Sequence, residues 1–394
     1  MRIALLAPLP PEQTGIADYA AHLRAALQAA GVEVLCPLRG CGVDLQRTEA
    51  ALAAFDWSTV DLVHAELGGG RLGEFLALGW LQQHRPQVPL TATVHDPERL
   101  VWRRASLPWP LRWLGRLPSP LSQLAALLAD PLTLREERRV AQGLARVITL
   151  TELGGRLLAK RMHLPAGRQV SIAHGNLIID AQPLPPAEPL RLLYFGFIYR
   201  GKGIEDLLDA LAATLQRRPD LQGRIRLTLA GGSAPEIAFG PRGNYLDELR
   251  ERARELQLDA VLDWALDLPS ADISRCIQAH HVLVLPYRES KKLSLLGEMR
   301  GTSGALSWAN ACGRGAITSD ARAFAEEVRE GNGLTYPQGD VAALSACIEQ
   351  AADQPERVVQ WAERAANIGA ARAWPKTAER FQQLFADVCQ GAHR

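Results

Sequence analysis

The sequence predicts an α/β protein of two doubly wound parallel-sheet domains, and three observations carry that prediction. The chain has 394 residues, more than one hydrophobic core ordinarily supports, so two domains of similar size follow. Short continuous apolar runs recur along both halves, spaced by helical patterns. A strand apolar on both sides belongs in a parallel sheet covered on both faces. Between the halves, AQPLPPAEP at 181–189 carries four prolines and breaks every pattern, as an interdomain linker does.

In the first half (1–180) the expected strands are IALLAP (3–8), VEVLCP (32–37), VDLVHAE (60–66), LTATVHD (90–96) and ARVITLT (145–151), with a helix over about 16–30. The second half (190–374) restarts the pattern with LRLLYFGF (190–197), RIRLTLAGG (224–232), AVLDWA (260–265), HHVLVLPY (280–287), GAITSD (315–320) and NGLTYP (332–337). Helices are expected near 203–217, near 243–256 and from about Thr302. The last stretch puts Phe381, Leu384, Phe385 and Val388 at helical spacing. This predicts a C-terminal helix over 375–394 that packs an apolar stripe back onto the N-terminal domain.

Composition excludes several function classes. Lys and Arg total 44 against 43 Asp and Glu, so the long-range basic field of a nucleic-acid binder is missing. Six cysteines lie scattered at 36, 41, 276, 312, 347 and 389. No Cys-x-x-Cys pair or His/Cys cluster points to a metal, and reduced thiols suit a cytoplasmic protein. The opening MRIALLAPLPP has too short an apolar run for a signal peptide or a membrane span.

Ligands of open α/β sheets bind beyond the carboxyl ends of the strands, so function is expected in the strand-to-helix loops, facing a cleft between the two domains. The loop PLPPEQTG (8–15) has three prolines and then Gly15 at a helix start. It is either an anion cradle or an ordinary proline-rich entry to a helix. Arg200 and Lys202 directly follow an apolar strand at the start of a helix, where the macrodipole disfavours cations unless an anion is present. They mark a phosphate site or a solvated basic turn. Gly301, Thr302, Ser303 and Gly304 open another helix with hydroxyls and unpaired amides, which suits a phosphate as well as a plain N-cap. His95 ends the strand LTATV and precedes Asp96, a position where a reacting group is expected. His174 lies similarly, before the linker.

Taken together, PLPPEQTGIADYAAHL, TVHD, IAHGN, YFGFIYRGKGIEDLLDAL, LTLAGG, VLVLPYR and the run from Ser303 to Leu344 resemble the family-4 glycosyltransferases, bacterial exopolysaccharide and O-antigen enzymes of the GT-B fold with two Rossmann-like domains. The resemblance spans nearly the whole chain. It implies retaining transfer of a hexose from a nucleotide sugar to a growing polysaccharide or lipid-linked glycan, without a metal or other cofactor. By position, Gly15, Gly196, Gly232, Leu266, Thr302, Ser303 and Gly304 would meet the donor. His95 would lie near the reacting sugar, with Arg200 and Lys202 on the phosphates. The GIADYA opening is most like mannosyltransferases, which makes GDP-mannose the first donor and UDP-glucose the second.

The chain departs from that family at its Glu-x7-Glu pair. Aligned on Ala311-Cys312-Gly313, the two glutamates fall on Arg300 and Trp308, and neither side chain accepts the hydrogen bonds of sugar and ribose hydroxyls. Phe197 also stands where many members have an arginine after the strand's glycine, a role open to Arg200. Two functions therefore compete: an active transferase, and a catalytically silent GT-B protein that binds a nucleotide sugar or glycan or scaffolds an active transferase. Finally, Trp102, Trp109 and Trp113 alternate with Arg103, Arg104, Arg112 and Arg116 without an acidic residue. That segment is either a core-packed loop or a membrane-surface contact at the inner face of the cytoplasmic membrane, each cation worth about 1 kcal/mol near anionic lipid.

Overall fold

The structure is a computed structural model that describes residues 1–12, 14–101, 107–108, 111–114, 120–232, 239–240, 243–289, 294–298 and 300–392. The chain divides into two compact units. One comprises Met1–Gly175, Lys291–Thr302 and Trp374–Arg394, the other Asn176–Ser290 and Ser303–Ala373.

The first unit is a six-stranded parallel sheet of β1 (Arg2–Leu6), β2 (Glu33–Leu35), β3 (Leu62–Leu67), β4 (Leu90–Val94), β5 (Arg146–Thr149) and β6 (Gln169–Ser171). The strand order is β2-β1-β3-β4-β5-β6, so the winding reverses between β1 and β3. Its helices are α1 (Gly15–Ala29), α2 (Leu45–Ala54), α3 (Leu72–His84), α4 (Leu111–Leu114), α5 (Leu121–Gln142) and α6 (Glu152–Met162). Helix α1 starts because the Thr14 hydroxyl accepts from the Ala17 amide at 3.1 Å, which satisfies one of the orphan donors of a helix N-terminus. It buries Ala17, Ala20, Leu23 and Leu27, a stripe at i, i+3 and i+4 spacing.

The other unit is also a six-stranded parallel sheet, of β7 (Leu190–Phe195), β8 (Ile225–Gly231), β9 (Leu262–Leu266), β10 (Val282–Leu285), β11 (Gly315–Ser319) and β12 (Gly333–Tyr336). The order β9-β8-β7-β10-β11-β12 reverses between β7 and β10. Its helices are α7 (Ile204–Arg217), α8 (Tyr245–Glu255), α9 (Ile273–Gln278), α10 (Gly304–Ala311), α11 (Phe324–Val328), α12 (Val341–Asp353) and α13 (Pro355–Ala371). The central strands β7, β10 and β11 are largely or wholly buried and join α7, α10 and α12 in one apolar core, which explains their continuous apolar sequence, while the edge strands β9 and β12 are only partly covered.

A last helix, α14 (Trp374–Ala392), packs on α1 within the first unit. Phe381 and Phe385 are fully buried there, with ring centroids 5.5 and 5.2 Å from that of His64 on β3. Burying each phenylalanine stabilises the unit by about 1.5–3 kcal/mol.

Candidate functional site

In the second unit the winding reversal places the loop after β7 beside the loop after β10, which is where open α/β sheets bind ligands. Gly203, at φ 65°, lets them meet: a Cβ there would stand 1.8 Å from the Pro286 carbonyl oxygen. Asp206, in the first turn of α7, pairs with Arg288 after β10 and ties the same loops.

Between these ties lies Lys202, only 8% exposed. Its ammonium is 3.7 Å from the centroid of the Tyr287 ring and 4.9 Å from that of Tyr199, and among the described residues it has no carboxylate partner. Cation–π contact returns about 2 kcal/mol when desolvated, less than the cost of burying a charge. Among the described residues its charge is therefore compensated by aromatic rings alone. The Tyr287 hydroxyl lies 3.1 Å from the Ser303 hydroxyl, and Ser303 caps α10 by accepting from the Ala305 amide at 3.3 Å. Burial pushes the Tyr287 phenol up, yet Lys202 and the Ser303 hydroxyl bring it below its ordinary value. One aromatic ring thus joins the buried cation to the amide end of a helix.

Arg200 is placed differently. Its guanidinium forms a two-pronged pair with the Glu248 carboxylate and stacks over the Tyr245 ring at 5.2 Å. A phosphate at Arg200 has to compete with a carboxylate already in place. Gly196 follows β7, Gly232 follows β8, and Leu266 ends β9, half-buried against the core. A Cβ on Gly232 would sit 3.1 Å from the Asp267 carboxylate. Trp308 lies on α10 edge-on to Phe195, with centroids 6.2 Å apart, and Phe197 is 48% exposed.

The first unit builds a second polar cluster at its own winding reversal. His95 follows β4, and its Nε2 lies 2.7 Å from Oε2 of Glu66 on β3. An ionised carboxylate only accepts, so Nε2 carries the hydrogen and Nδ1 is the remaining nitrogen. Glu66 is fully buried and also meets His64 Nε2 at 3.2 Å. His64 in turn contacts the Thr91 and Thr93 hydroxyls at 2.9 and 3.0 Å. Burial would raise the Glu66 carboxyl, but the hydrogen bonds from His64 and His95 hold it below the usual range. Tyr19 of α1 stands edge-on to His95, His174 and Trp374, with centroids 4.7, 5.0 and 5.1 Å away. Its buried hydroxyl has no hydrogen-bond partner among the described residues.

The turn at 300–304 divides between the units. A Cβ on Gly301 would lie 2.2 Å from the His95 carbonyl oxygen, and the Arg300 amide donates to the Pro97 carbonyl at 2.6 Å. This half supports the His95 loop, with the Arg300 side chain paired to Glu298. Thr302 closes that segment, while Ser303 caps α10 and Gly304 begins it. Gly15 is the first residue of α1, and a Cβ there would meet no protein atom within 4 Å among the described residues. Trp102, Arg103, Arg104, Trp109 and Arg116 lie outside the described residues, as does the side chain of Arg112, whereas Trp113 on α4 is 66% exposed.

Sequence reasoning missed Glu66, Tyr19 and Tyr287. A His and a Glu inside the buried strand LVHAEL were the available signal for Glu66, because a charge in such a strand needs a partner. The two tyrosines gave none.

Residues 177–368 match the family described as glycosyl transferases group 1. The chain is 24% identical over 332 residues to a D-inositol 3-phosphate glycosyltransferase of Thermobispora bispora, covering 80% of this chain and 69% of that protein. It is 26% identical over 336 residues to the protein of the same name from Kineococcus radiotolerans, covering 84% and 72%. Among solved structures it is similar to Anabaena HepE in complex with UDP, with a TM-score of 0.67 at 16% identity over 98% of this chain and 100% of that one. It is also similar to a sucrose-phosphate synthase from Thermosynechococcus elongatus, with a TM-score of 0.73 at 20% identity over 99% and 100%.

Proposed function

We propose that this protein is a glycosyltransferase of the GT-B type, a reading supported by the family match and the fold likeness, and that it moves a hexose with retention of configuration from a nucleoside diphosphate sugar to a growing bacterial glycan or lipid-linked acceptor. The observation that carries the reading is Lys202, a buried ammonium with no carboxylate partner among the described residues, joined through Tyr287 to the N-terminus of α10. A diphosphate there receives one charge-assisted contact from Lys202 and hydrogen bonds from helix amides. The negative charge that grows on it as the glycosidic bond breaks is stabilised without a metal. His95, oriented by Glu66, contacts the transferred sugar. Arg200 serves the phosphates only after exchanging Glu248 for them.

The nucleotide is GDP from the mannosyltransferase-like opening, or UDP as in the Anabaena structure. The curated relatives' name supplies D-inositol 3-phosphate as an acceptor to try. Calorimetry with UDP and GDP, followed by donor hydrolysis with UDP-glucose and GDP-mannose, tests the reading. If neither nucleotide binds wild type, the donor site is wrong.

One observation supports a silent binding protein instead: Arg300 and Trp308 stand where the resemblance places two glutamates. Nucleotide binding without turnover on any donor or acceptor would select that reading.

A further inference from the structure

Helix α1 presents a second face besides the one it buries. Ala21, Arg24, Ala25 and Gln28 recur at i, i+3, i+4 and i+7, so they share one side of the helix. Together with Leu9 and Pro10 after β1 and Arg39 after β2, that side lines a cavity of about 330 Å³. The two alanines leave its floor open, because neither side chain extends past Cβ. Tyr19, whose ring meets that of His95, leaves the same helix about 170° away at 3.6 residues per turn. The cavity therefore lies on the far side of α1 from His95.

Its charge is of one sign. Arg24 and Arg39 line it and no carboxylate does. Neither arginine has a hydrogen bond or ion pair among the described residues, and Nε of Arg24 is itself buried. Both guanidiniums act on one group: burial pushes the Cys36 thiol up, and the two cations oppose that rise. Their charges thus converge. Like charges facing one space repel, and a buried N–H without an acceptor is costly, so an anion between them relieves both penalties.

We propose that this cavity binds a small phosphomonoester. Each guanidinium fork matches two phosphate oxygens, and the Gln28 amide can donate to another. Leu9, Pro10 and the alanine methyls supply an apolar wall for the carbon body. The volume is at the small end of ligand sites, roughly 300–1,000 Å³, which suits one sugar-sized ring better than a nucleotide sugar. The inference rests on the first unit alone and is independent of the transfer reaction and of Lys202.

Calorimetry of the full chain with glucose 6-phosphate, inorganic phosphate and glucose tests it. Glucose 6-phosphate is expected to bind, inorganic phosphate more weakly, and glucose not at all. Arg24→Gln and Arg39→Gln should each lower the glucose 6-phosphate affinity roughly tenfold to a hundredfold, whereas Lys202→Ala should not change it. Ala21→Leu, which fills the floor and leaves the charges in place, should block glucose 6-phosphate and still admit inorganic phosphate. Absence of wild-type binding, or equal binding by both Gln variants, overturns the proposal. So does binding that Lys202→Ala abolishes and the Gln variants keep, because the phosphate then sits in the second unit. Binding of inorganic phosphate alone would leave an anion site without room for a carbon body, which also overturns it. If both Gln variants fail to fold, Ala21→Leu decides: loss of glucose 6-phosphate binding supports the cavity, and unchanged binding overturns it.

Discussion

Lys202 and Arg200 lie two residues apart in one loop and are expected to answer mutation differently. Lys202→Ala removes a buried cation that has no carboxylate partner among the described residues, so nucleoside diphosphate affinity should fall by about 1.5–3 kcal/mol, roughly tenfold to a hundredfold. Arg200→Ala should cost less than tenfold, because Glu248 already occupies that guanidinium. Calorimetry with UDP and GDP ranks the two, and wild-type affinity in Lys202→Ala would remove the phosphate role. His95→Ala should retain nucleotide binding and lose turnover, and equal turnover would make His95 structural. Glu66 adds a pH signature. Its hydrogen bonds keep the folded-state carboxyl below its ordinary 4.5, so the ionised form stabilises the protein at neutral pH, and that contribution is lost as pH falls below 4.5 through the folded value. In Glu66→Gln the acid limb of a stability-versus-pH curve should flatten, read by thermal melts at stepped pH.

At the scale of elements, α5 has a polar inward face and exposes Leu121, Leu124, Leu127, Leu128 and Leu132 on the other. Its inward carboxylates Asp130 and Glu137 hold Arg99, and the Glu137 carboxylate also accepts from the Leu100 amide at 2.8 Å. Arg99 lies four residues after His95, so the helix anchors the loop that carries the histidine. Removing one partner of a buried ion pair leaves an uncompensated charge, so Arg99→Ala should destabilise by about 3–5 kcal/mol. Urea titration measures it, and a loss under 1 kcal/mol would mean that water or another cation replaces the guanidinium. The same network explains why α5 cannot roll its leucines inward without stranding two carboxylates.

For the molecule as a whole, the chain returns twice to its first unit, at Lys291–Thr302 and at Trp374–Arg394. The second return is apolar. Phe385→Ala opens a fully buried site beside His64 and Phe381 and should cost about 3–5 kcal/mol. Because α14 belongs to the first unit, the loss should appear in the unfolding of that unit. Hydrogen exchange in α1 and β3 would localise it, and unchanged protection there would mean that α14 is not part of the first core.

The strands of both sheets were legible from the sequence, because a parallel strand buried on both faces must be continuously apolar and its helices must be striped. The exception is β6, which was not expected, because Gln169–Ser171 is an edge with no apolar run. Loop positions of His95, Lys202 and Ser303 were legible as strand ends and helix starts. Their partners were not, since Glu66 meets His95 across 29 residues of chain and Tyr287 meets Lys202 across 85. Local pattern fixes which residues sit at the carboxyl ends of strands, whereas winding order fixes which of those ends are neighbours. The polarity of α5 shows the same limit from the other side: its sequence has an apolar stripe, and only the buried Arg99 decides that the stripe faces outward.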